Sequence, residues 1–484
     1  MSVSTRGSRS PSPFSAAGFL PDPSFYPSAR TAAKAPPETV AYLALVSADR
    51  GRPDALGVVD VERGSPTYGQ LLGRLDLPFA GDELHHFGWN ACSSALCPYA
   101  PHPHQERRYL IVPGIRSSRL YVIDTRPDGA TARDAELRIA KVIEPDELMS
   151  KTGYSRPHTV HCGPEGIYVS ALGSADGKGP GGIFLLDHES FDVRGRWEIE
   201  RGPQHLAYDF AWHLGYDTMI TSEWGTPDLI EDGLNLEALI GKQYGQALHV
   251  WDLRRRRHVQ RLQAGDDDQM TLELRPSHDP TKLYGFVGVV TNVKTLASSV
   301  WLWHRDGDAW AMRRVIEIPP EPADPELLPP PLKPFAAVPP LVSDIDLSLD
   351  DRYLYVSCWG TGELRQYDVR DPFRPQHVGT VAMGGIVRRA AHPSAPDRPL
   401  TGGPQMVEVS RDGRRVYVTN SLYLAWDEQF YPAGLDGWMA RLDVGASGGI
   451  TPDRDFLLEL PPGMRTHQVR LEGGDASSDS YCYP

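Results

Sequence analysis

A short alternating strand that closes on an acidic or polar residue recurs seven times along the chain, and no other feature limits its folding as strongly. The copies read Gly57-Val58-Val59-Asp60, Tyr121-Val122-Ile123-Asp124, Phe184-Leu185-Leu186-Asp187, His249-Val250-Trp251-Asp252, Trp301-Leu302-Trp303-His304, Gln366-Tyr367-Asp368 and Arg441-Leu442-Asp443, separated by 64, 63, 65, 52, 64 and 75 residues. Ahead of the marker, a unit carries two alternating strands joined by a polar turn, most clearly in Asp344 to Cys358 and Met406 to Asn420 and also in His158 to Ser170. Period-two alternation around an Asp/Gly turn is the signature of a β-hairpin. Seven units of about four short strands predict an all-β fold, a seven-bladed β-propeller, whose radial repetition leaves few strand edges exposed.

Closure of the ring follows from what is left over. The chain opens with strands leading to Asp60, and after the seventh marker it ends with an orphan strand, His467 to Leu471. Placed innermost in the first blade, that strand stitches the N- and C-terminal strands together. Residues 37–484 are then one propeller domain, and the Ser/Pro/Arg-rich residues 1–36 form a disordered or loosely attached tail. Asp228 to Gly241 reads as a helical insertion, and Pro319 to Pro340 as a long connection between blades.

Composition removes several functional classes. With 49 basic against 63 acidic residues, a net charge of −14, the surface is unsuited to nucleic acid, whose affinity rests on Lys and Arg. The one dense basic run, Arg254 to Arg257, reads as a solvated hairpin tip. Gly173 to Gly182 contains Lys178 but no GK[ST] sequence, and reads as a flexible loop rather than a phosphate cradle. No apolar run reaches the length of a membrane span. The cysteines, Cys92, Cys97, Cys162, Cys358 and Cys482, are odd in number and contain no CxxC, so a reducing, cytoplasmic compartment is expected, with the periplasm left open.

In a propeller the innermost strands line a central channel. His86, His158 and His467 stand at comparable starts of innermost strands in blades two, three and one, which are neighbours once the ring is closed. Three converging imidazoles with an open position are the arrangement of a catalytic metal. His85 and His161 are candidates for a fourth ligand, a partner fixing a ring tautomer, or a base. His213 and His278 fall at the far end of the strand, where a structural role is expected. Cys92, six residues after His86, is a candidate nucleophilic thiol. Cys162 and Cys358 read as core, and Glu223 and Asp344 as rim or channel carboxylates. Ligand type alone leaves zinc, copper, iron and nickel open.

The stretches DELHHFGWNACSS (Asp82 to Ser94), HTVHC (His158 to Cys162), SLYLAWDEQFYP (Ser421 to Pro432) and GGPQM (Gly402 to Met406), with Tyr208-Asp209-Phe210 and Ser222-Glu223-Trp224, resemble the selenium-binding protein family over about residues 38 to 480. The resemblance implies a propeller and the oxidation of methanethiol with O2 and water to formaldehyde, hydrogen sulfide and hydrogen peroxide. It implies copper as the metal, because bacterial members of that enzyme group are associated with it. Carried over by position, it implies Cys92 as the thiol that takes selenium or sulfur, and His85, His86, His158, His161, His278 and His467 as the family's histidines. Ala476 stands where relatives carry cysteine, and Gln468 where glutamate is expected. The resulting expectation is a copper-dependent thiol oxidase with His86, His158 and His467 on the metal and His85, His161 and Cys92 as catalytic side chains. A selenium or sulfur carrier built on Cys92 and a propeller interaction scaffold remain as alternatives.

Overall fold

A computed structural model describes residues 22–93, 104–388, 390–474, 476, 481 and 483. Seven four-stranded antiparallel sheets follow one another around a ring. Every sequence marker is the third strand of its blade counted from the centre: Pro53–Asp60, Leu120–Asp124, Gly182–Leu186, Ala247–Asp252, Ser298–Asp306, Glu363–Asp368 and Trp438–Val444. The markers stand out because this strand is buried along most of its length in most blades. Outermost strands such as Leu71–Ala80 are exposed or half-buried along most of their length and carry a weaker apolar signal.

The expected closure is present. Met464–Leu471 is the innermost strand of the first blade and pairs antiparallel with Val40–Ser47, Leu471 opposite Ala41 and Val469 opposite Leu43. The strand begins three residues before His467, earlier than the sequence pattern suggests.

Residues 1–21 of the expected loose tail lie outside the described residues, but the segment after them is docked. Phe25 and Ala32 are buried, Ser28 bridges Tyr483, and Arg411 donates to the Pro36 carbonyl. The tail boundary at residue 36 is therefore too late, because apolar side chains from Phe25 onward pack against the end of the ring.

Three excursions from the blades meet at one mouth of the channel. The blade-four insertion forms the short helices Pro227–Ile230 and Leu236–Ile240, the proline-rich connection runs between blades five and six, and blade seven adds the helix Leu424–Phe430. Ile230, Leu239, Leu332, Phe430 and Tyr431 share one apolar cluster there. The Trp426 indole donates to the Ile230 carbonyl at 2.8 Å, and Gln429 exchanges two hydrogen bonds with the backbone of Leu234. The arginine run is a surface turn whose charges meet Asp217 of its own blade, Glu165 of blade three and Glu200 of the connection between them. No helix among the described residues is long and apolar enough to cross a membrane.

Candidate metal centre

The innermost strands are not regular. Each of blades one, three and five holds one residue more than its partner strand: Thr466 to Val469 against Leu43 to Leu45, Pro157 to Val160 against Val169 to Ala171, and Thr271 to Leu274 against Val287 to Val289. Blade two does the same between the Leu84 bridge to Gly114 and the Gly88 pairing with Ile111. A bulge bends the strand and re-aims the side chain it carries. The residues in these four bulges include His467, His158, Glu273, and the pair His85 and His86. The histidines lie within or just ahead of the innermost strands rather than at their starts, and the bulges bring them together.

Four imidazoles form one buried cluster. The rings of His85 and His467 stack with centroids 3.6 Å apart, and those of His86 and His158 lie 4.1 Å apart. His85 meets His158 at 5.0 Å, and His86 meets His467 at 5.3 Å. Ring nitrogens of His85, His86 and His158 lie within 4.8 Å of one another. The tightest triplet thus takes in His85, whereas the sequence pattern pairs His86 and His158 with His467; all four rings share the same space. The Nε2 atoms of His86, His158 and His467 are buried and have no hydrogen-bond partner. The His467 Nδ1–H donates to the Ser421 carbonyl at 2.7 Å, which leaves the Nε2 lone pair free, and His158 Nδ1 meets the Thr159 hydroxyl at 3.0 Å. Anchoring one ring nitrogen while the other faces a cavity is how metal-binding imidazoles are oriented.

Electrostatics agree with that reading. Burial pushes the His158 and His467 imidazoles down to about 3 and holds His85 and His86 well below the usual range, with neighbouring imidazoles adding to the effect at His85 and His86. The rings are neutral, the form that binds a metal. In the unfolded chain these rings take up a proton near 6.5, so between about 6.5 and 3 the unfolded state binds protons that the folded state does not. The metal-free protein is therefore expected to lose stability as pH falls through that window, by up to about 1.4 kcal/mol per pH unit for each imidazole. Urea unfolding at several pH values checks this, with the slope reduced in His467→Asn; a flat profile would refute it.

Two groups beside the cluster escaped the sequence reading. Tyr208 lies 4.3 Å from the His158 ring, centroid to centroid, and donates its hydroxyl proton to Glu273 Oε1 at 2.7 Å. Glu273 Oε1 is also 3.6 Å from His86 Nε2. Burial drives the Glu273 carboxyl up and the His86 imidazole down, so this is a contact between neutral groups rather than an ion pair. The available signal was Glu273 and Arg275, two charged residues that alternate with Leu272 and Leu274 in the innermost strand Asp268–Pro276.

The other candidates lie elsewhere. His161 makes its ring contacts with Phe210 and Trp212, and its Nε2 is 3.7 Å from Asp209. The blade-three bulge aims His158 inward, and His161 is outside the four-ring cluster, so it is not placed to act as the expected base. Cys92 is buried among Phe25, Ala91 and Cys162, and its thiol donates to the Cys162 carbonyl at 2.9 Å. Cys97 and Cys482 lie outside the described residues, and Cys358 is buried in its strand. Asp344 accepts from Arg275 and from the Val407 N–H, while Glu223 accepts from Gln246, Ala247 and His249. Both carboxylates are held by the framework. His213 meets the Lys282 carbonyl, and His278 pairs with Asp351, so both serve structure.

The class defined by this fold and site is a seven-bladed propeller with a histidine-lined channel. Comparison with known proteins sharpens it: the family model described as 56 kDa selenium-binding protein matches residues 19–482, and the chain belongs to that family. It is 56% identical to a solved structure described as a hypothetical selenium-binding protein from Sulfolobus tokodaii, with a TM-score of 0.92, covering 96% of this chain and all of that one. Among curated relatives, methanethiol oxidase of Bos taurus is 39% identical and that of Xenopus laevis 38%, each over 94% of this chain and 97% of the relative.

Proposed function

We propose that the chain is a copper-dependent methanethiol oxidase that converts methanethiol, O2 and water to formaldehyde, hydrogen sulfide and hydrogen peroxide. The reading is carried by the three buried Nε2 atoms of His86, His158 and His467, which have no hydrogen-bond partner and belong to rings of one cluster; their free lone pairs suit a metal. These three residues would hold copper, with His85 as a fourth imidazole in reach. Copper bound there would supply one-electron chemistry between sulfur and oxygen, and its affinity for soft sulfur suits a thiol substrate. The curated relatives named methanethiol oxidase support the reaction.

The chain's own groups prepare the site. Ser421 and Thr159 orient two of the rings. His85 is the cluster member that also faces the adjoining apolar cavity. Its neutral ring can accept a hydrogen bond from the S–H of a thiol arriving from that side. Tyr208, which lines the same cavity, is held by the hydrogen bond its hydroxyl donates to Glu273.

The test is assay of metal-free and copper-reconstituted protein for methanethiol-dependent peroxide and sulfide. Turnover is expected only with copper, and copper-independent turnover or none at all would refute the proposal. The carrier reading makes the opposite demand. Cys92→Ser is expected to leave oxidation near that of the parent protein; its loss, with copper retained, would place the chemistry on the thiol.

A further inference from the structure

An apolar cavity adjoins the imidazole cluster, with His85 and Tyr208 at its floor. Its walls come from blades four to seven: Trp224, Met270, Leu272, Val290, Trp359 and Trp426. It sits beneath the cap formed by the three excursions, in the same apolar cluster as Ile230, Leu239 and Phe430. The space open to the centre of a water-sized sphere is about 20 Å³, little more than one water requires. The walls are pinned: the Trp359 indole donates to the Asn420 carbonyl at 3.0 Å and the Trp426 indole to Ile230. One wall group is unfulfilled, the buried indole N–H of Trp224, which has no acceptor in the protein. A buried donor without a partner is costly, and a small acceptor lodged in the cavity, such as a thiol sulfur, would satisfy it.

We propose that this cavity is the substrate chamber and that its walls restrict the substrate to an uncharged thiol bearing a one-carbon group. The inference rests on the oxidase reading and adds to it the residues that set specificity. The open space is so small that methanethiol, the smallest organic thiol, would take up all of it, and a longer thiol would have to displace pinned indoles. A charged thiol such as cysteamine would enter walls whose polar groups, Ser343, His85 and Tyr208, include no carboxylate to pair its ammonium group, at a large desolvation cost. A hydrophobic pocket discriminates a single methylene by roughly 10- to 200-fold, so each added carbon is expected to cost at least about tenfold.

Two arms test this on the full-length chain. In the first, binding of methanethiol, 1-propanethiol and cysteamine is measured under argon by quenching of tryptophan emission. In the second, kcat/KM for methanethiol and 1-propanethiol is measured on the copper-loaded protein. The parent is expected to prefer methanethiol in both arms. Leu272→Ala and Val290→Ala, which enlarge the chamber from two different strands, are expected to narrow the preference by about tenfold or more in each. Unchanged preference in both folded variants overturns the proposal, as does parent protein that binds all three thiols equally or none. If binding discriminates as expected while no thiol is oxidised, the oxidase reading fails and the chamber stands.

Discussion

His158→Ala is expected to yield a folded protein that binds no stoichiometric copper and loses methanethiol oxidation by more than the roughly 100-fold that removal of an outer hydrogen-bond partner costs a metal site. The ring is fully buried, its Nε2 has no partner in the protein, and it belongs both to the tightest nitrogen triplet and to the set of three unpartnered atoms. No other side chain of its strand can take its place, because the bulge between Pro157 and Val160 fixes which residue meets the cluster. His161→Ala is the matched control: it removes an imidazole three positions away that lies against Phe210 and Asp209, and copper content should stay at the parent level. Elemental analysis and the electron paramagnetic resonance spectrum of the copper-loaded variants read the result directly. Equal copper content in both variants would refute the assignment.

Arg275→Met is expected to destabilise the fold by at least about 3–5 kcal/mol, the cost of stripping one partner from a buried ion pair. The guanidinium lies inside the ring with four carboxyl groups around it: Glu273 at 3.2 Å, Asp344 at 3.1 Å, Asp346 at 3.3 Å and Asp209 at 3.6 Å. These groups come from the innermost strands of blades five and six and from the entry to blade four. One cation thus ties three blades together at the axis. Methionine fills much of the volume but leaves several acids facing each other, and they must then take up protons or separate. Asp344 already sits near 7 because burial outweighs the attraction of Arg275. Denaturant unfolding at neutral pH measures the loss. Part of it should return at mildly acidic pH, where protonation relieves the repulsion; a loss unaffected by acid would point to packing instead.

The blade count and closure were legible in the sequence because the third strands carry strong alternation at nearly constant spacing, and because Met464–Leu471 had no hairpin partner of its own. The convergence of His86, His158 and His467 could be inferred from their similar setting in neighbouring blades. Which face each ring presents could not, because a bulge adds one residue without any mark in composition. His158 lies inside such a bulge and His161 beyond it, and the two rings end in different surroundings. Tyr208 and Glu273 were hidden for a different reason: they reach the cluster from blades four and five, across the channel, and only the closed ring makes them neighbours of His86 and His158. The cap was half visible, since Asp228 to Gly241 and Pro319 to Pro340 read as insertions, but their meeting with Leu424–Phe430 is a property of tertiary packing.

Because His467 lies on the strand that completes the first blade, the four rings can meet only after Met464–Leu471 has paired with Val40–Ser47. Closing the ring and assembling the imidazole cluster are therefore one event, and a chain with an open ring would carry the same histidines without their convergence.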